Sequence, residues 1–252
     1  MQIAIALVQF NIAPCDSELN LTRMETFIRQ ASKQGAQLVV FPEDAINGPL
    51  TGQTAFVEQA ENYLATCQAF AVKYGVDLVP GTWTVQEGTA LYNTAYYINK
   101  DGTVAGTYRK IHLWETEKAK LTPGKQVSVF PTTHGLVGMI ICWDISFPLL
   151  FTEMVRQGAR LVISPTYWSF PRSVETDDEI NDEIHLIDSL CMTRAFDNNL
   201  VFAYCNAAGE LKSDGWDAVL SGRSQITHPL DKVLCKAAAN DEEIIFSVIS
   251  ID

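Results

Sequence analysis

The sequence predicts an α/β fold of two similar halves, with two sheets facing each other and helices on the outside. Two observations predict it. Strand-like and helix-like segments alternate through all 252 residues. Two distant stretches, IRQASKQGAQLVVFPE and EMVRQGARLVISPT, also share one pattern: a helix end, Gln-Gly-Ala, a polar residue, Leu-Val, two more residues and Pro. A looser echo links the hairpin around INKDGTVAG to ITHPLDKVLC.

The elements follow in order. QIAIALVQF reads as a first buried strand. A helix begins near Asn20, with Leu21, Met24, Ile28 and Ala31 on one face, and ends at Gly35. QLVVF is a short apolar run of the kind a fully buried strand shows. The next helix carries the stripe Ala60, Tyr63, Leu64, Cys67, Phe70, Ala71 and Tyr74, with Gly75 as its C-terminal cap. VDLVPGTW reads as a strand, and AYYIN and TVAGTYRK as a hairpin turning at Asp101-Gly102. GLVGMIIC is a strand ending at Cys142, followed by a helix at 147–157 and the strand LVIS. A helix near Asp182–Ala195 precedes LVFAYC, and RSQIT, KVLC and EIIFSVIS close the chain as strands. No linker or low-complexity tract divides the sequence, so residues 1–252 read as a single domain.

Charge and composition exclude several roles. With 18 basic and 30 acidic residues the net charge is −12, a field that repels phosphate backbones and anionic lipid. Neither a nucleic-acid nor a membrane partner is expected. The opening MQIAIALVQF has no basic residue and reads as a strand, not as an export signal. No run approaches the ~20 apolar residues of a membrane span, and the cytoplasm is the expected compartment. The six cysteines form no CxxC pair and the four histidines are scattered, so neither zinc nor a disulfide framework is indicated.

Four residues draw attention as chemistry. Cys142 sits where a strand must turn sharply into a helix, a place that exposes a nucleophile and favours thiolate over thiol. Glu43 closes the apolar run QLVVFPE, where desolvation raises a carboxyl toward neutrality. Lys110, in TYRKIHL, lies between apolar neighbours from which its ammonium can reach a developing oxyanion. Glu117 lies seven residues further on, and taken alone it reads as a surface charge pairing with Lys120. A Cys–His hydrolase is the rival scheme, with His112 the one histidine embedded in a motif.

Together, FPE at 41–43, YRKIHL at 108–113, Glu117 before TPG, and CWDISFP at 142–148 resemble the motifs of the nitrilase, or carbon–nitrogen hydrolase, family. The resemblance runs the length of the chain and includes LVISP, TRAFDNNLVFAYCNAAG and GRSQITHP. It implies a four-layer α-β-β-α sandwich with pseudo-two-fold symmetry, assembled as a homodimer or higher homo-oligomer. It implies Cys142 as nucleophile, Glu43 as general base and then acid, Lys110 as stabiliser of the tetrahedral intermediate, and Glu117 as the second glutamate, with Glu115 a neighbouring rival. Trp143, Tyr167 and Trp168 fall where the family's pocket wall forms. No metal or organic cofactor is implied.

One departure is visible: Asp197 precedes Asn198 where the family commonly has Glu. The resemblance favours small amides or N-carbamoyl compounds as substrates over nitriles, with a non-catalytic binding member as the remaining alternative. The acidic stretch at 174–183 suits a substrate with a cationic end if it overhangs the pocket, whereas Arg172 and Arg194 leave room for a carboxylate.

Overall fold

The computed structural model describes residues 2–49, 54–172, 176–213 and 216–251. The first half runs β1 (Gln2–Gln9), α1 (Ser17–Lys33), β2 (Leu38–Val40), α2 (Thr54–Val57), α3 (Ala60–Tyr74), β3 (Asp77–Val79), β4 (Thr82–Glu87), β5 (Ala90–Ile98) and β6 (Val104–Arg109). The second runs β7 (Ser128–Thr132), β8 (Gly135–Met139), a 3-10 turn (Cys142–Ser146), α4 (Pro148–Arg156), β9 (Leu161–Thr166), β10 (Ser169–Pro171) and α5 (Asp177–Asn198). It closes with β11 (Val201–Asn206), β12 (Glu210–Ser213), β13 (Trp216–Leu220), β14 (Gln225–His228), β15 (Lys232–Lys236) and β16 (Glu243–Ser250).

The two main sheets have matching topology. One is ordered β16-β1-β2-β3-β5-β4, with β6 on β5; the other is β15-β14-β11-β9-β8-β7. Each centres on three parallel strands, β1-β2-β3 and β8-β9-β11, joined through helices. The strands β10, β13 and β12 form a small third sheet.

The sequence echo is a structural one down to single hydrogen bonds. Gly35 and Gly158 both take a positive φ, 89° and 98°, to leave the preceding helix. Ala36 N–H then bonds back to Ala31 O, as Ala159 N–H does to Met154 O. Gln37 bridges both neighbouring strands, donating to Ala4 O and accepting from Asp77 N–H. Arg160 does the same with Leu136 O and Val201 N–H.

Strand alternation builds the layers. Ile3, Ile5 and Leu7 of β1 face the core between the sheets, where they meet side chains of β8, β9 and β11. Ala6 and Val8 face outward onto Met24 and Ile28 of α1 and Cys67 of α3. On β11, Phe202 points out to Phe151 of α4, ring centroids 5.4 Å apart. Cys205 points in, and its thiol donates to Val8 O and Val40 O of the opposite sheet. The order is therefore helices, sheet, sheet, helices, as expected.

Four readings of the sequence need correction. VDLVPGTW is two strands, broken at Pro80-Gly81, because proline cannot donate to a ladder and Gly81 takes φ 85°. The strand GLVGMIIC stops at Met139. The first helix starts at Ser17 because the Asp16 side chain caps Leu19 N–H. The helix placed at Asp182–Ala195 spans Asp177–Asn198, its start fixed by a capping box of Thr176 with Glu179. Residues 174 and 175 of the acidic stretch lie outside the described residues; residues 177–183 are the first turns of α5, with Asp178, Glu179, Asn181 and Asp182 exposed. Among the described residues, no helix is long and apolar enough to cross a membrane.

Gly81 offers a test of how tightly the loop after β2 is held. A Cβ there would lie 2.0 Å from Pro42 O, on a backbone that already disfavours L side chains. Gly81→Ala is expected to lose about 2 kcal/mol or more of stability in urea denaturation. It is also expected to lose activity disproportionately, because the clash falls one residue from Glu43.

Candidate active site

Three of the four chemical residues follow the ends of strands, and the fourth comes from a loop. Glu43 follows β2, Lys110 follows β6, and Cys142 follows β8 by way of Ile140 and Ile141. Such crevices at the carboxyl ends of parallel strands collect sites in α/β sheets. The pseudo-symmetry brings the two echoed segments together here: Glu43 N–H donates to Thr166 O, its counterpart in the second half, at 3.3 Å.

The cluster is buried and charge-linked. Cys142, Glu43, Lys110 and Glu117 are 8, 3, 2 and 7 % exposed. Lys110 Nζ donates to Glu43 Oε1 and to Glu117 Oε2, each at 2.8 Å. Asn93 Nδ2 donates to the same two carboxylates, at 2.7 Å to Glu43 and 3.0 Å to Glu117. Backbone completes the frame: Tyr167 N–H donates to Glu43 Oε2 at 3.0 Å, and Trp114 N–H to Glu117 Oε2 at 2.6 Å. Glu117 is thus a site residue, not a surface charge. Its rival Glu115 is exposed and pairs with Lys118.

Electrostatics assign the protons. Burial raises the Glu43 carboxyl above its ordinary range; Lys110 opposes the rise and Glu117 adds to it. Burial alone would lower Lys110, but Glu43, Cys142 and Glu117 outweigh it and hold the ammonium well above its usual value. Burial and the neighbouring Glu43 push the Cys142 thiol well up, against the pull of Lys110. This overturns the expectation of a thiolate favoured by a helix N-terminus. The turn after Cys142 is a short 3-10 helix, and the carboxylates outweigh what its dipole can give. The same neighbours that raise the thiol, above all Glu43, stand ready to take its proton.

Asp144 builds the turn that carries Cys142. Fully buried, its carboxylate accepts from Tyr108 Oη, His112 N–H and Ile141 N–H, and sits 2.8 Å from His112 Nδ1. Cys142 itself takes φ 47°, strained for a residue with a side chain. The ring of His112 stacks on Phe147 at 3.4 Å. His112 is therefore committed to Asp144, whereas the charges that set the Cys142 thiol are Glu43, Lys110 and Glu117.

Two of the three expected pocket aromatics, Trp143 and Trp168, meet near the turn. Trp143 lies 5.7 Å from Trp168 and 4.6 Å from Trp114, centroid to centroid. Trp168 Nε1 donates to Glu183 of α5 at 2.8 Å, which brings the acidic stretch to this wall. Tyr167 is half-buried against the outer core of the first sheet. The two arginines are engaged elsewhere. Arg172 pairs with Glu210 and Asp217 at the surface, and Arg194 Nε donates to Ile145 O. An open cleft of about 460 Å³, lined by Tyr92, Arg109 and Lys125 among others, includes none of the four chemical residues. Among the described residues, no group of three or more His, Cys, Asp or Glu could hold a metal ion.

The profile of the Carbon-nitrogen hydrolase family matches residues 4–252. The chain belongs to that family. It is 31 % identical to the human omega-amidase NIT2 over 98 % of this chain and 88 % of the relative. A probable nitrilase of Schizosaccharomyces pombe is 30 % identical over 100 % of this chain and 90 % of the relative. A variant of the amidase from Nesterenkonia sp. AN1, with the acetamide moiety of fluoroacetamide added covalently at its active-site cysteine, superposes with a TM-score of 0.86. The two are 26 % identical over 98 % of this chain and 90 % of that one.

Asn93 and Asp144 are the site residues that the sequence reading missed. Asn93 lies inside the strand-like run LYNTAYYI, where a polar residue on a buried strand is the one available signal. Asp144 sits within CWDISFP itself, overshadowed by the cysteine. Asp144→Asn turns one acceptor into a donor facing other donors. It is expected to cost about 2–3 kcal/mol in denaturant unfolding and to lower kcat through the displaced Cys142 turn.

Proposed function

We propose that this carbon–nitrogen hydrolase cleaves a small amide or N-carbamoyl compound through a thioester on Cys142, releasing ammonia or an amine. The observation that carries this reading is the buried Glu43–Lys110–Glu117 chain beside the strained turn that carries Cys142.

The steps follow from the geometry. Glu43 takes the thiol proton as sulfur bonds to the carbonyl carbon, and the carbonyl electron pair moves to oxygen. Lys110 stabilises that oxyanion with its remaining N–H, joined by the Trp143 N–H, since the first N–H groups of a helical turn have no partner within it. The C=O reforms, the C–N bond breaks, and Glu43 returns its proton to the departing nitrogen. Water then attacks the thioester, giving a proton to Glu43. The S–C bond breaks, and Glu43 reprotonates the sulfur as the acid leaves. Glu117 holds Lys110 from one side, and Asn93 bridges Glu43 and Glu117, which keeps base and ammonium in register.

Trp143, Trp168 and Tyr167 form the pocket wall. Arg172 pairs with carboxylates at the surface and Arg194 commits its Nε to Ile145 O, while Glu183 places a carboxylate at the wall, a setting that favours neutral or cationic substrates. Residues 1–252 act as one catalytic domain, in a homodimer or higher homo-oligomer located in the cytoplasm.

Ammonia release from a panel of small amides, carbamoyl amines, carbamoyl amino acids and nitriles tests the reading. Turnover on the amide or carbamoyl compounds is expected, lost in Cys142→Ala and in Glu43→Gln and largely kept in His112→Ala. Turnover that survives Cys142→Ala, or vanishes in His112→Ala with the fold intact, contradicts it. The raised Glu43 carboxyl fixes a sign as well. The base works only when ionised, so kcat/KM should fall as pH drops through a limb lying above the ordinary glutamate range. A profile flat down to pH ~4 removes Glu43 as the base.

A further inference from the structure

Asn93 carries an unmet hydrogen-bonding demand. It is 4 % exposed, and its amide orientation is fixed, because both Nδ2 hydrogens are taken by carboxylates: Glu43 Oε1 at 2.7 Å and Glu117 Oε1 at 3.0 Å. A flipped amide would set Oδ1 against two acceptors. That leaves Oδ1, buried, with no hydrogen-bond partner. An unpaired acceptor in a dry charged cluster is costly, and such groups in native proteins point to a missing ligand or water.

The other opening in the cluster belongs to Lys110. An ammonium has three donors, and its partners among the described residues are Glu43 and Glu117. The network therefore retains one donor, on Lys110, and one acceptor, on Asn93, and both residues bond the same Glu43 Oε1. A spare donor and a spare acceptor, on two residues that share one carboxylate oxygen, complement an amide group, whose oxygen accepts and whose nitrogen donates. An ester has no N–H to offer, and a nitrile presents only an acceptor.

Granted hydrolysis at Cys142 as proposed above, we propose that Asn93 Oδ1 accepts a hydrogen bond from the scissile nitrogen of the substrate. Asn93 then selects amides and carbamoyl compounds that carry an N–H on the bond to be cleaved. The contact also steers the departing nitrogen. With one N–H held by Oδ1, the nitrogen lone pair turns toward the proton on Glu43, whose Oε1 lies one hydrogen bond away. Asn93 thus joins Cys142, Glu43 and Lys110 in touching the reacting atoms.

The test separates this contact from a purely positioning role. It compares kcat/KM for the fastest primary amide of the panel with that for the methyl ester of the same acid, in wild type and in Asn93→Ala. Both leaving groups need the Glu43 proton, so a mere shift of Glu43 slows both alike. Loss of an N–H acceptor is expected to lower the amide-to-ester ratio by about ten- to a hundred-fold. Because the ratio is read within one preparation, it does not depend on how much of the variant folds. Asn93→Ser, whose shorter side chain withdraws the same acceptor, gives the same change where the alanine variant fails to fold. Equal losses on amide and ester in both variants overturn the contact and leave Asn93 a positioning residue, Oδ1 then being met by water. Wild-type silence on every amide overturns the amidase reading and this inference with it.

Discussion

The structure is organised around one buried ammonium. Lys110 holds two carboxylates apart and in place, 2.8 Å from each. Breaking such a pair by removing one partner typically costs about 3–5 kcal/mol, because a buried charge is left uncompensated. The cluster therefore requires exact placement of three distant chain segments. Asn93 and the backbone N–H groups of Tyr167 and Trp114 supply the remaining fixed points.

That placement is what the pseudo-symmetric fold provides. The matching parallel strands end at the same level, so the loops after β2, β8 and β9 converge from both sheets. Glu43 and Thr166, equivalent positions in the two halves, bond each other across the pseudo-axis. Glu43 is the proposed base, and its counterpart gives a backbone support. Asp144 ties the Cys142 turn to Tyr108 and His112 on either side of Lys110, so nucleophile and ammonium share one rigid mount.

Much of this was legible in the sequence. The Gln-Gly-Ala-x-Leu-Val echo exposed the two halves because it encodes a helix exit and a central strand, local features that composition alone dictates. Glu43, Lys110, Glu117 and Cys142 were legible because they stand in compact motifs. Asn93 was not: its role depends on two carboxylates that lie 50 and 24 residues away in sequence. The state of Cys142 was misread for a related reason. A helix start is visible locally, but the carboxylates that outweigh it arrive from elsewhere in the chain. The short strands β10, β12 and β13 gave no signal, since three to five residues are too few to show a period.

The central claim is that this buried network activates Cys142 for covalent attack on an amide carbon. Intact-protein mass spectrometry of acid-quenched turnover tests it directly, followed by peptide mapping. The expected result is a mass increase equal to the acyl group of the amide minus one hydrogen, located on the peptide carrying Cys142 and absent in Cys142→Ala. Steady turnover with no adduct on Cys142 in the wild type, and the same turnover in Cys142→Ala, would contradict it.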